Sequence, residues 1–135
     1  MSNFSPHPFI LDGVRCQTVE AFIQGIKFPP GDPRREQIFA MNGLHAWKMR
    51  VHAQSDYVWW GEETLTYRSP EHSALIRRAI EAKFAQNPNA LEALKSTEGL
   101  TIIHEPGGSP ESPLSSLPAV VYCRILTEIR EAALG

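Results

Sequence analysis

The hydrophobic positions between Thr18 and Phe28 repeat with the spacing of an α-helix. Four apolar residues stand at i, i+3, i+4 and i+7 and therefore lie on one helix face: Val19, Phe22, Ile23 and Ile26. Thr18 suits the N-cap position, because its hydroxyl accepts a hydrogen bond from an amide of the first turn. Pro29-Pro30-Gly31 ends the pattern. The sequence thus predicts an amphipathic helix over about 18–28.

The longest helical pattern follows Ser69-Pro70-Glu71, where a capping serine precedes a proline at the first helical position. Its buried face is predicted to contain Leu75, Ile76, Ala79, Ile80, Lys83 and Phe84. Lys83 on this face fits a stem packed along apolar surface, with its charge at the periphery. Similar start and stop signals predict four further helices: from Asp32-Pro33 to about Met41, from His45 to His52, from Asn87-Pro88 to near Thr97, and from Pro118 to Leu134.

Strand signals are fewer than helix signals. Asp12-Gly13 separates the short runs Phe9–Leu11 and Val14–Cys16, and this dipeptide favours a type I′ hairpin turn. Leu100–Ile103 is a further strand candidate, and residues 106–118 are predicted to form a loop. Ser55–Arg68 shows no clear periodicity. The whole pattern predicts one helix-dominated α+β domain over 1–135 with a small β-sheet.

The amino-acid composition indicates which class of protein the chain belongs to. The hydrophobic share of 42% and the charged share of 21% are ordinary for a soluble globular domain. No apolar run approaches the roughly 20 residues that cross a bilayer, and the N-terminus is not that of a secretory signal, so we expect a cytoplasmic protein without a membrane partner. The net charge of −2 argues against a broad nucleic-acid clamp. It leaves room for a protein that binds one nucleotide.

Common catalytic and metal motifs are missing from the sequence. The five histidines show no i, i+4 pair, so we expect ordinary surface or loop histidines and no metal site. Gly107-Gly108 lacks the spacing of a phosphate-binding loop. Two distant cysteines, Cys16 and Cys123, do not form a zinc or disulfide pattern. No cofactor is expected.

Glu20, Gln24 and Lys27 stand at i, i+4 and i+7 of the first predicted helix, and so share one face. The apolar stripe lies only partly on the other side. Glu20 and Lys27 are therefore expected at the edge of the buried face. One interpretation is a polar edge with a weak ion pair, and the other is a functional site.

The order of several motifs resembles the NADAR (YbiA-like) family. Residues 2–6, 11–13 and 18–28 resemble its opening, which runs S-N-F-S-x…G…T-x-E-x-x-x-Q-x-x-K-F. Residues 79–88 resemble its A-x-x-A-K-F-x-Q-[NH]-P segment. Leu94, Thr97, Ile103 and Glu105 are similar to its L-x-x-T…L-x-E ending. The resemblance covers almost the whole chain in the correct order.

The resemblance implies an α+β fold and hydrolysis of an N-glycosidic bond. By this similarity Glu20 is the leading catalytic carboxylate, and Lys27 is the candidate nucleophile that forms a Schiff base. Lys83 is the rival lysine. Further ligand-binding residues are implied: Asn3, Phe4, Ser5, Gln24 and Glu105.

The chain also departs from the family pattern. The family's Asp and Trp-Gly after the late glutamate are missing here, and Glu111 is a candidate replacement for that aspartate. The mid-chain tryptophan is out of register, and Trp59 or Trp60 is a candidate base-stacking surface or a packing feature. These differences indicate a divergent branch.

The sequence is compatible with three functions. The first is an N-glycosidase acting on an ADP-ribosylated or nucleotide-like compound, including an ADP-ribosylated nucleic acid or a riboflavin-pathway intermediate. The second is a non-catalytic module that binds ADP-ribose or a related nucleotide. The third is a protein-interaction domain in which the polar set is only structural.

Overall fold

A computed structural model describes residues 3–53, 55–102 and 116–135. Its elements are β1 (Phe9–Leu11), β2 (Val14–Cys16), α1 (Val19–Gly25), α2 (Pro33–Phe39), α3 (Gly43–Lys48), a 3₁₀ turn (Met49–His52), β3 (Tyr57–Trp60), β4 (Glu63–Thr66), α4 (Pro70–Gln86), α5 (Pro88–Lys95) and α6 (Ala119–Leu134). Helices dominate, and the strands pair as two separate antiparallel hairpins, β1–β2 and β3–β4. The predicted helix-dominated α+β class is confirmed. Among the described helices, none has the length and apolar character needed to cross a bilayer.

The first hairpin forms where Asp12-Gly13 predicts it. Asp12 has φ 50° and Gly13 has φ 83°, as a type I′ turn requires. The Gln86 side chain of α4 then exchanges two hydrogen bonds with the Ile10 backbone, at 2.7 and 2.8 Å. The hairpin is thereby fixed to α4.

The helix starts also agree with the sequence. The Thr18 hydroxyl accepts a hydrogen bond from the Ala21 amide at 3.0 Å, and Ser69 does the same for His72 at 3.1 Å. Helix ends come earlier than predicted, since α1 is capped by Ile26. The predicted helix over His45–His52 is divided between α3 and the 3₁₀ turn.

The second hairpin was not predicted. Val58 and Trp60 of β3 are buried, but β4 is exposed along most of its length. Strand β4 therefore lacks the alternation of hydrophobic and polar residues that predicts a strand. Gly61 (φ 58°) in the connecting turn does not predict a hairpin by itself.

The strand predicted at Leu100–Ile103 is wrong for residues 100–102, which are in no strand. Their backbone serves another purpose, because Nη1 of the buried Arg130 donates to the carbonyls of Thr97 and Leu100 at 2.9 and 2.8 Å. Ile103 and most of the predicted loop over 106–118 lie outside the described residues.

Helix α1 lies at the centre of the molecule. All seven of its residues are buried, because α1 packs against α2, α3 and α4. Its apolar side joins the main core with the first hairpin, β3, α4, α5 and α6. The polar side chains on the remaining side of α1 must therefore find partners inside the protein.

Candidate functional site

Glu20, Gln24 and Lys27 are buried more deeply than the sequence predicted. Their exposed fractions are 7%, 3% and 4%, so they do not lie at an edge. The Gln24 side-chain amide donates to a Glu20 carboxylate oxygen at 2.8 Å. The difference arises because helices cover α1 on several sides, which a helical periodicity does not reveal.

The N-terminal segment, residues 3–5, connects three helices next to this group. The Asn3 carbonyl accepts a hydrogen bond from the Glu20 amide at 3.0 Å, and so satisfies a first-turn donor of α1. The Ser5 hydroxyl accepts from Nζ of Lys83 on α4 at 3.0 Å. Gly43 at the start of α3 touches Phe4 so closely that a Cβ there would lie 2.5 Å from the Phe4 Cα.

Lys83 is buried through its charged end, and the expectation of a peripheral charge is wrong. The residue is 2% exposed, because the N-terminal segment crosses α4 and covers the amine. The same Ser5 hydroxyl forms a second hydrogen bond with Nδ1 of His7 at 3.0 Å. Burial lowers the pKa of Lys83 to about 8.

Burial shifts the pKa values of Glu20 and Lys27 towards each other. Loss of water raises the pKa of Glu20, while the Gln24 hydrogen bond and the charges of Lys27 and Arg50 oppose this. Burial lowers the pKa of Lys27 to about 8; the charge of Glu20 opposes the change and that of Arg50 adds to it. Near neutral pH the Lys27 amine is therefore neutral far more often than a surface lysine.

His72 is a further candidate residue that the sequence did not predict. The expectation of surface or loop histidines is wrong for it, because its side chain is 0% exposed. Nδ1 accepts a hydrogen bond from the Arg68 amide at 2.9 Å, so Nε2 carries the proton in the neutral ring. The Tyr67 ring lies 5.4 Å from the His72 ring and 5.5 Å from Nζ of Lys27. Its position in the first turn of α4, three residues after the capping Ser69, was the sequence feature that could have indicated its burial.

Three buried polar atoms around α1 have no hydrogen-bond partner within the described part of the chain: Asn3 Oδ1, Gln24 Oε1 and His72 Nε2. Most buried polar groups in folded proteins are paired, because an unpaired one costs free energy. Two acceptors and one donor beside a buried carboxylate and amine are a typical arrangement for a polar ligand.

The buried state of His72 predicts a pH dependence of stability. Burial and the charges of Lys27 and Arg68 lower the pKa of His72 from 6.5 to about 4. Between these values the unfolded chain binds more protons, so the free energy of unfolding falls as pH decreases from about 6.5 to 4, by up to about 3 kcal/mol. Denaturant unfolding at several pH values measures this loss.

The variant His72→Asn keeps an acceptor for the Arg68 amide but does not titrate. We expect a flatter pH dependence between 4 and 6.5 in this variant. His45→Asn, at an exposed position, is the control and should follow wild type. An equally steep decline in His72→Asn would contradict the assignment.

The structure places the two candidate tryptophans differently. Trp60 packs in the core, with ring centroids 5.0 Å from Phe22 and 6.3 Å from Phe39, and its indole N–H donates to Asp12 at 2.7 Å. These contacts do not bring its ring to the polar group. Trp59 is half-buried, and its amide donates to the Ile26 carbonyl at 2.8 Å, next to Lys27.

The Phe4 ring pairs with the Trp47 ring, at 6.3 Å between centroids. The structure thus brings together Asn3, Phe4, Ser5, Glu20, Gln24, Lys27 and Lys83 around α1. The candidates Glu105 and Glu111 lie outside the described residues.

Comparison with known proteins agrees with this fold. The solution structure of the E. coli protein YbiA superimposes with a TM-score of 0.69, covering 98% of this chain and 76% of that protein at 21% identity. The chain has the YbiA-like fold that its resemblance to the NADAR family implied.

At the sequence level the relationship is to bacteriophage proteins. Residues 1–131 match the family of bacteriophage protein GP30.3, and the chain belongs to that family. An uncharacterized 17.1 kDa protein of Enterobacteria phage T4, from the Gp30-rIII intergenic region, is 26% identical over 137 residues, covering 98% of this chain and 89% of that protein. A phage family on a YbiA-like fold fits the divergent branch that the missing Asp and Trp-Gly indicated.

Proposed function

We propose that the protein is an N-glycosidase that acts on an ADP-ribosylated or nucleotide-like compound. The observation that carries the proposal is a buried carboxylate, Glu20, beside a buried amine, Lys27, with unpaired polar atoms around them. A purely structural ion pair gains little from such burial, because desolvating both charges is costly. The YbiA-like fold and the family resemblance support the same reaction class.

The chemistry requires a proton donor and a nucleophile. Burial raises the pKa of Glu20, which suits a carboxyl group that carries a proton to the leaving base. Burial lowers the pKa of Lys27 to about 8, which supplies a neutral amine. Both groups are held by α1 and the residues that follow it.

In the proposed first step the neutral Lys27 amine attacks the anomeric carbon, C1′. The C1′–N bond to the base breaks, and the departing nitrogen takes the proton of Glu20. The attached amine returns a proton to Glu20, which passes it to the ring oxygen as the C1′–O4′ bond opens and a Schiff base forms. Water then adds to C1′ and displaces Lys27, and the sugar closes as the product.

The remaining candidates take binding roles in this proposal. Asn3 and Gln24 each have a buried oxygen without a partner in the described chain, and these suit hydroxyl or amide donors of the ligand. Phe4 offers a partly exposed ring for stacking. The other proposed binding residues are Ser5, Trp59, Lys83, Glu105 and Glu111. No cofactor is required.

The direct test is product release by the purified protein. ADP-ribosylated guanosine in DNA and a ribosylated flavin precursor are incubated with it, and chromatography follows release of ADP-ribose or base. We expect release from one of them. Absence of release from both substrates would contradict the proposal in this form.

Thermal unfolding separates the remaining alternatives, because a ligand that binds only the folded state raises its stability. A stabilisation by ADP-ribose without product release would favour a non-catalytic binding module. If neither ADP-ribose nor the two substrates raise the unfolding temperature, a protein-interaction domain is favoured.

A further inference from the structure

Arg50 and Trp47 form a stacked pair beside the N-terminal segment. The guanidinium carbon of Arg50 lies 3.4 Å from the centroid of the Trp47 ring, and Nη1 donates to the Trp47 carbonyl at 3.1 Å. Stacking and this hydrogen bond hold the planar guanidinium in one orientation. Within the described part of the chain the Arg50 guanidinium has no other hydrogen bond, so its remaining N–H groups can donate to a ligand.

The charge of Arg50 is not neutralised by a carboxylate within the described ranges. No ion pair includes it there, and the sequence has no acidic residue between Asn42 and Ser55. Yet its charge acts on both Glu20 and Lys27. The guanidinium is therefore within electrostatic range of Glu20 and Lys27 and attracts an anionic group.

The Trp47 ring adjoins this cation, and the Phe4 ring lies next to the Trp47 ring. Their centroids are 6.3 Å apart, and the side chains are 37% and 38% exposed. Phe4 is fixed in place because its neighbours bond to Glu20 and Lys83, and because Gly43 packs against its backbone. A cation beside two exposed aromatic rings is the combination that proteins use for a base and its phosphate.

We infer that Arg50 binds a phosphate of the ligand and that Trp47, with Phe4, stacks against its base. The inference rests on the proposed function for the nucleotide character of the ligand, but it assigns residues that the glycosidase chemistry does not need. Arginine suits this role because its planar N–H groups match two phosphate oxygens. The phosphate belongs either to a small nucleotide such as ADP-ribose or to a nucleic-acid backbone.

The test is calorimetric titration of the full chain with adenosine, AMP, ADP-ribose and a short single-stranded oligonucleotide. Wild type should bind AMP about 10- to 100-fold more tightly than adenosine, as expected for one charge-assisted phosphate contact. Arg50→Gln should bring the two affinities together. Trp47→Ala should weaken the binding of adenosine about 5- to 100-fold. It should weaken the binding of AMP by more than this, because Arg50 also loses the ring that orients it.

Arg34→Gln is the matched control. Arg34 also lies over an aromatic ring, Phe28, at 4.6 Å, but it is paired with Asp32 at 2.7 Å. This variant should keep the wild-type preference for AMP. The two ligand sources differ in outcome: an Arg50-dependent affinity for ADP-ribose indicates a small nucleotide, and one confined to the oligonucleotide indicates a backbone phosphate.

The inference is overturned if wild type binds AMP, ADP-ribose and the oligonucleotide no more tightly than adenosine, or if Arg50→Gln leaves all of these affinities unchanged. Its failure is distinguishable from failure of the glycosidase proposal. Product release with a wild-type KM in Arg50→Gln would leave the glycosidase standing and remove the phosphate site. An Arg50-dependent preference for the phosphorylated ligand, without any product release, would support the phosphate site and contradict the glycosidase.

Discussion

Lys27→Met is expected to abolish a covalent adduct that wild type forms when substrate is present with borohydride. The hydride reduces the Schiff base at C1′ and leaves the sugar permanently attached to the lysine that formed it. Intact-mass measurement detects the added group, and fragmentation assigns it to a residue. Product release should be lost together with the adduct.

Lys83→Met is the matched control for this experiment. Lys83 is equally buried, and its pKa is likewise lowered to about 8, so burial and basicity alone do not distinguish the two lysines. Lys83→Met should still form the adduct on Lys27. An adduct that persists in Lys27→Met, or one located on Lys83, would reassign the nucleophile.

The pH dependence of adduct formation has a definite sign. Only the neutral amine attacks, and burial lowers the pKa of Lys27 from 10.5 to about 8. Ionisation of Lys27 should therefore make the rate of attack rise with pH, and this rise should end at about 8. Ionisation of Glu20 acts in the opposite direction, because the leaving base takes its proton. An ordinary lysine would give a rate that is still rising there.

Glu20→Gln is expected to lower the rate of product release by about 100- to 10,000-fold, the range typical for a lost proton donor. Glutamine keeps the size of the side chain and an oxygen that accepts from Gln24, whose bond to Glu20 measures 2.8 Å. The variant should therefore fold normally. Steady-state release assays and thermal unfolding measure the two properties separately.

Glu81→Gln is the control, since Glu81 is an exposed carboxylate on α4 that pairs only weakly with Arg77 at 3.5 Å. It should retain wild-type activity. A Glu20→Gln enzyme that works within a few-fold of wild type, while remaining folded, would exclude Glu20 as the proton donor.

Features encoded by neighbouring residues were predictable from the sequence. The first hairpin follows from Asp12-Gly13, and the starts of α1 and α4 follow from Thr18 and Ser69. In each case the turn or cap is decided within a few residues, so the local chemistry is sufficient. The spacing of Glu20 and Lys27 predicted that they share one side of α1, and the family resemblance proposed them as site residues.

Features that depend on how elements pack together were not predictable in the same way. The burial of Lys83 requires the N-terminal segment to cross α4, a contact between residues 78 positions apart. His72 is in register with Leu75 and Ile76 on the buried face of α4. Its polar and aromatic partners, the Arg68 amide and the Tyr67 ring, come from the turn before the helix. The contact between the Phe4 and Trp47 rings likewise joins residues far apart in the sequence.

The crossing of residues 3–5 over α1, α3 and α4 also makes the Glu20 amide a reporter of the site. That amide is bonded to the Asn3 carbonyl and not to its own helix. Opening of this short segment exposes it without unfolding α1, so its hydrogen exchange is governed by a local equilibrium. A ligand that contacts Phe4 holds the segment closed and slows exchange at this one amide, which makes occupancy visible even where no reaction takes place.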